Sequence, residues 1–162
     1  MFKVTKIDNY NYKVRTEHYP YISNAKQTGH RVLLGIGGNI GDVVRRFEHL
    51  FWFLKRSKHV RIIQTSPILK NPPFGYLEQP YFFNALLLID TKLTPVKLLR
   101  FILDTEKKFG RKRSFKNAPR TLDIDIIKYE KLILNKQNLV LPHPFWNIRD
   151  SVLLPLSWMR GA

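Results

Sequence analysis

Two carboxylates two residues apart, Asp123 and Asp125, follow a run of cations. In Pro119-Arg120-Thr121-Leu122-Asp123-Ile124-Asp125-Ile126-Ile127 the apolar Leu122, Ile124 and Ile126 alternate with the two aspartates, the period of a half-buried β-strand. Residues two apart on a strand share a face, so the carboxylates stand side by side while the apolar set turns to the core. Side-by-side carboxylates repel, and each raises the other's pKa unless a cation lies between them. Mg2+ takes oxygen ligands and is often held by one or two carboxylates plus substrate phosphates. From Asp-x-Asp alone, two solvated aspartates on an exposed strand would read the same way. The preceding residues bear on that choice. Lys107 to Arg120 holds seven basic residues (Lys107, Lys108, Arg111, Lys112, Arg113, Lys116, Arg120) and no acidic one. Metal on one side and arginine forks on the other is the pairing that a triphosphate requires. A solvated charge run does not explain why the run ends at this strand.

The elements that must position these groups come from a chain of 162 residues, enough for one domain with a real core. It is 44% hydrophobic and 13% aromatic, which argues against disorder. The absence of cysteine excludes disulfides, thiolate metal sites and a cysteine nucleophile. No apolar run reaches bilayer length, and Met1 to Lys6 lacks the apolar region of a signal peptide, so a cytoplasmic protein is expected. Lys and Arg outnumber Asp and Glu by 28 to 12, a net charge of +16. That field attracts nucleic acid, an anionic membrane or a phosphorylated small molecule. Charge does not choose among them.

Along the chain, residues 1–30 form a polar, tyrosine-rich extension, readable as an edge hairpin or an arm, and 31–162 the main domain. Arg31 to Ile36 is a buried strand that leads into the turn Gly37-Gly38-Asn39-Ile40-Gly41-Asp42. The turn lacks the Gly-Lys-Ser/Thr ending of a P-loop and lets backbone pass close to a bound group. Asp42 then caps a helix with Val43, Val44, Phe47, Leu50, Phe51 and Leu54 on one face. Val60 to Ser66 reads as a strand, and Asn71-Pro72-Pro73-Phe74-Gly75 as a rigid loop. Phe82 to Thr91 reads as a central strand whose odd polar member, Asn84, is either satisfied by neighbours or aimed at a ligand. Thr94-Pro95 opens a second helix that ends at Gly110. Glu106 sits near its C-terminus, unfavourably for a carboxylate. Short apolar runs, Leu141-Pro142-His143-Pro144 and an amphipathic segment from Trp146 to Leu156 close the chain. The order β-α-β-β-α-β predicts an α+β, ferredoxin-like sandwich: a mostly antiparallel sheet with helices packed on one face.

Four blocks in order, Gly35 to Asp42, Gln79 to Ala85, Gly110 to Asp125 and Leu141 to Pro144, resemble the 6-hydroxymethyl-7,8-dihydropterin pyrophosphokinases of folate biosynthesis. The resemblance runs from about Val32 to Leu156. It implies transfer of the pyrophosphoryl group of ATP to the hydroxymethyl oxygen of the dihydropterin, with AMP leaving. Asp123 and Asp125 match the ligands of two Mg2+ ions. Arg111 and Arg120 match arginines on the transferring phosphates. Glu106, Arg113, His143 and Arg149 match the ATP site. Asn84 matches the amide that reads the pterin edge, with Phe82, Pro72, Pro73, Phe74 and Gly37 around it.

The match is incomplete at two places. The family stacks the pterin between two rings, and Ser151 stands where the second ring is expected, with Phe145 or Trp146 as candidate substitutes. The loop before Arg120 is one residue shorter than usual, with Asn117-Ala118 where Trp-Gly is common, which blurs the register from Ser114 to Ala118. Two other readings stand beside the enzyme. A basic ferredoxin-like module could bind nucleic acid, or the chain could be an inactive homologue. The expected partners are ATP and the pterin, with no nucleic acid and no membrane, and with monomer as the default state.

Overall fold

The computed structural model describes residues 2–73 and 75–161. Strands β1 (Lys3–Lys6) and β2 (Tyr12–Arg15) pair antiparallel, and β3 (Tyr21–Ile22) follows. Between β1 and β2, Asp8 Oδ1 accepts from the N–H groups of Tyr10 and Asn11 and closes the turn. β4 (His30–Gly38) leads to helix α1 (Val43–Arg56), then β5 (Val60–Thr65), β6 (Ile68–Asn71) and β7 (Phe82–Thr91). Helix α2 (Pro95–Lys108), β8 (Asp123–Tyr129), the small hairpin β9 (Leu134–Lys136) and β10 (Leu139–Leu141), a 3-10 turn at Trp146–Ile148 and helix α3 (Asp150–Ser157) complete the chain.

The main sheet has the order β1-β2-β6-β7-β4-β8, with β5 pairing β7 and β3 pairing β5. Every pairing in it is antiparallel. β5 and β6 occupy successive stretches along β7, so β8, β4, β7 and this broken strand lie in ferredoxin-like order. The apolar alternation builds the main core. Val32, Leu34 and Ile36 of β4, Leu87 and Ile89 of β7, and Ile124 and Ile126 of β8 meet Phe47, Leu50 and Leu54 of α1 and Leu98 and Ile102 of α2. The caps form as the sequence predicts: Asp42 accepts from Arg45 N, and Thr94 from Lys97 N. α3 departs from the one-face arrangement. Its Val152 packs with Leu33, Leu86 and Ile127, which alternate with the main-core residues and point the other way. Helices α1 and α2 therefore cover the central strands on one face, while β1 stays exposed and α3 covers part of the other face.

Residues 12–22 run along the outer strands through the β2–β6 and β3–β5 pairings. Tyr19 is wholly buried, with its hydroxyl donating to Phe47 O at 2.8 Å, and His18 stacks on Phe51 at 4.3 Å.

Candidate functional site

The open part of the second face holds the predicted chemistry, and register explains why. β4 lies between β7 and β8, with Gly37 opposite Asn84 on one side and Asp123 on the other. One rung away, Gly35 is flanked by Leu86 and Asp125. The central strand thus presents no side chain beyond hydrogen between an amide and two carboxylates. Asn84 and Asp123 stand two strand spacings apart, roughly 10 Å. Asn84 is half-buried and donates through Nδ2 to Asn71 Oδ1 at 2.8 Å, which fixes the amide plane. Pro72 and Pro73 follow Asn71 at the end of β6 and are half-buried; Phe74 lies outside the described residues.

Arg120 joins the two halves. Its Nη1 donates to Asp123 Oδ2 at 3.0 Å, its Nε to Ala118 O at 3.0 Å, and its guanidinium lies 5.3 Å above the Phe82 ring. Asp125 is more exposed, yet its carboxyl is pushed up to about 7. Loss of hydration is the main cause, followed by the charges of Asp123 and Glu106, against the pull of Arg149 and Arg111.

Glu106 is 4% exposed and holds the outer edge of β8. Its Oε2 accepts from Ile124 N at 2.7 Å, and Oε1 from Arg113 Nη2 at 3.1 Å. Arg111 lies 3.8 Å from the same carboxylate and donates to Leu122 O at 3.1 Å. Burial raises the Glu106 carboxyl above its usual range, while Ile124 N–H and Arg111 pull it back. The position that looked unfavourable for a carboxylate is therefore filled by one that closes a strand edge.

His143 donates its backbone N–H to Ile127 O at 2.8 Å, which seats it beside β8. Burial first, then Arg149, lowers its pKa against the opposing effect of Asp123. Arg149 is exposed and lies 5.5 Å over Phe145.

Four side chains were given no role by sequence reasoning: Asn39, Arg46, Asn71 and Gln79. Arg46 reaches from α1 to the carbonyls of Ile40 (2.6 Å) and Thr121 (2.9 Å), beside the aspartate strand. The only signal for Asn39, Asn71 and Gln79 is a polar residue inside a glycine- or proline-rich block; Arg46, on α1, carries none.

The oxygen-only donor set suits a hard divalent cation. Among the described residues no group of three His, Cys, Asp or Glu gathers at one point. One or two carboxylates, completed by phosphate and water oxygens, are what Mg2+ takes, and the charge of Asp123 adds to the burial that raises the Asp125 pKa.

The 7,8-dihydro-6-hydroxymethylpterin-pyrophosphokinase (HPPK) family matches residues 33–160. A Helicobacter pylori protein named 2-amino-4-hydroxy-6-hydroxymethyldihydropteridine pyrophosphokinase is 45% identical over 129 residues, 78% of this chain and 79% of the relative. A Campylobacter jejuni protein of the same name is 39% identical over 153 residues, 94% of this chain and 98% of the relative. The Dictyostelium discoideum protein named folic acid synthesis protein FOL1 is 40% identical over 137 residues, 83% of this chain but 20% of that longer protein.

Proposed function

This chain belongs to the 7,8-dihydro-6-hydroxymethylpterin-pyrophosphokinase family, and from that membership we propose how its residues divide the work. The reaction is pyrophosphoryl transfer from ATP to the hydroxymethyl group of the dihydropterin, a step of folate synthesis. The hydroxymethyl oxygen attacks the β-phosphorus, the bond from that phosphorus to the bridging α–β oxygen breaks, and AMP leaves while the hydroxyl proton is released. No enzyme nucleophile is needed, so positioning and charge neutralisation carry the catalysis.

The rung Asn84–Gly37–Asp123 supports this reading most strongly. The pterin lies over Gly37, its donor–acceptor edge against Asn84 and the backbone around Pro72, Pro73 and Phe74, its ring on Phe82. A fixed amide discriminates by leaving wrong ligands unpaired. The hydroxymethyl arm then points toward Asp123, Asp125 and Arg120. Arg120 and Arg111 hold the transferring phosphates. Arg113, His143 and Arg149 surround the nucleotide, and Glu106 contributes by holding Arg111 and Arg113 in place. Asp123 and Asp125 would hold the two Mg2+ ions, whose chemistry is to draw charge from the phosphates. The ATP requirement favours the cytoplasm. Among the described residues no helix is long and apolar enough to cross a membrane.

The test is AMP release from ATP, with and without the dihydropterin, with Mg2+ or with chelator, on wild type and Asp125→Ala. Pterin-dependent AMP that disappears with chelator and falls about a thousandfold in the variant supports the assignment. No AMP from folded wild type identifies an inactive homologue, and full activity in Asp125→Ala removes the metal assignment.

A further inference from the structure

Two loops carry the site, residues 72–81 between β6 and β7 and residues 109–122 between α2 and β8. Among the described residues no backbone hydrogen bond joins them. Side chains make the connection. Asn39, just beyond β4, is 3% exposed and fully engaged. Its N–H donates to Arg120 O and its Oδ1 accepts from Arg120 N, both at 2.9 Å, so it clasps that residue's backbone from both sides. Its Nδ2 donates to Gln79 Oε1 at 2.8 Å and to Pro80 O at 3.1 Å. Gln79 Nε2 donates onward to Asn117 O at 3.0 Å and to Tyr76 O at 2.5 Å. Farther out, the Tyr76 and Phe115 rings meet edge to face at 5.4 Å.

The consequence falls on Arg120. Its guanidinium is oriented by Asp123 and Phe82, but its backbone belongs to a loop, and a loop without fixed neighbours leaves a long side chain free to wander. A shift of about 1 Å in a group that must meet a transferring phosphate costs up to about 100-fold in rate. We propose that Asn39 and Gln79 are positioning residues for pyrophosphoryl transfer: through the Arg120 backbone and the Asn117 carbonyl they hold the Arg120 guanidinium in register with the strand that seats the acceptor. The assignment rests on the phosphate-binding role of Arg120 given above. It also accounts for Asn117, whose φ of 61° lies in the left-handed region that asparagine tolerates best among residues with a side chain. In that conformation its carbonyl meets Gln79.

Gln79→Ala, Arg120→Ala and the double variant are compared by kcat for pterin-dependent AMP formation, by KM for ATP, and by thermal midpoint. Gln79→Ala is expected to lower kcat about tenfold with KM for ATP changed less than about twofold. In the Arg120→Ala background the same substitution is expected to change kcat less than about twofold, since there is no guanidinium left to position. Asn39→Asp keeps the acceptor for Arg120 N and loses the donors to Gln79 and Pro80; its loss should not add to that of Gln79→Ala. An unchanged kcat in Gln79→Ala beside an impaired Arg120→Ala overturns the proposal. So does the same tenfold loss in both backgrounds, which would make Gln79 an independent structural support. Full activity in Arg120→Ala would instead remove the role of Arg120, and the positioning role with it.

Discussion

The side-chain oxygen of Asn84 lies so close over Gly37 that a methyl group on that glycine would meet it at 2.7 Å. The obstructing atom is a side-chain oxygen and not backbone, so Gly37→Ala is accommodated by turning the amide aside, which strains its hydrogen bond to Asn71. We expect a thermal midpoint within about 3 °C of wild type, under about 1 kcal/mol, but a KM for the dihydropterin raised about tenfold, one misaligned hydrogen bond. Gly38→Ala differs, because its methyl would meet the Thr121 carbonyl at 2.5 Å. Backbone two residues from Asp123 must move, so stability and kcat fall together. Melting curves and steady-state kinetics on the pair separate these outcomes.

Asp125 is a stability liability at neutral pH when chelator withholds divalent cations. Its folded pKa of about 7 exceeds the model-peptide value of 3.8. Between those values the folded state binds more protons than the unfolded state, so stability falls as pH rises from about 4 to about 7 and then levels off. With chelator present, Asp125→Asn should melt higher than wild type at pH 8, by roughly 2–4 °C for about 1 kcal/mol after solvent screening. The difference should vanish near pH 4. An equal gain at both pH values would locate the effect elsewhere.

Glu48 of α1 is the acid-sensitive tie of the N-terminal segment. It accepts from Thr16 Oγ1 at 2.7 Å, His18 N at 3.0 Å and His18 Nδ1 at 2.7 Å. Burial alone would raise its pKa; those hydrogen bonds outweigh burial and hold it below 4.5. The stabilisation is therefore present above pH 4.5 and is lost as pH falls through the lower folded value. Glu48→Gln should cost about 1–2 kcal/mol at pH 7 by denaturant titration, with the gap closing in acid.

The two candidates for the second stacking ring are not equivalent. Trp146 packs against Leu33, Leu86, Ile127 and Val152, with Lys128 Nζ 4.0 Å from its ring, so it is a support for α3. Phe145 is 51% exposed beneath Arg149. Phe145→Ala should weaken dihydropterin binding about three- to tenfold, the worth of one aromatic contact, at nearly constant melting temperature. Trp146→Ala should chiefly lower the melting temperature. Calorimetric titration with the dihydropterin distinguishes the two.

Much of this site could be read from the chain because periodicity reports burial. The alternation around Asp123 and Asp125 puts both on one face, and the single amide in the apolar run from Phe82 to Thr91 marks Asn84 as satisfied by neighbours or aimed at a ligand; its place across Gly37 from Asp123 needs the register of three strands. The glycines were read as a turn, whereas Gly37 and Gly38 extend β4 and pair with Asn84 and Phe83. Glycine carries no β-strand signal, so the shelf at the centre of the site was invisible. The clasp of Asn39 and Gln79 was equally hidden, since it joins residues 40 apart whose only shared property is an amide. α3 belongs to the opposite face because Leu33, Leu86 and Ile127 lie out of phase with the main core; that phase was legible, but not which segment would cover it.

Glu106 and Arg111 also bear on how these molecules behave when crowded. An open sheet ends in backbone donors and acceptors that invite a strand from a neighbour. At β8 those groups on Ile124 and Leu122 are already taken by a carboxylate and a guanidinium of the same chain. At the far end β1 is four residues long and carries Lys3 and Lys6, which would face each other if two copies paired antiparallel in register. The first outer groups beside β8 are thus unavailable to a neighbour's strand, and like charges disfavour pairing at β1.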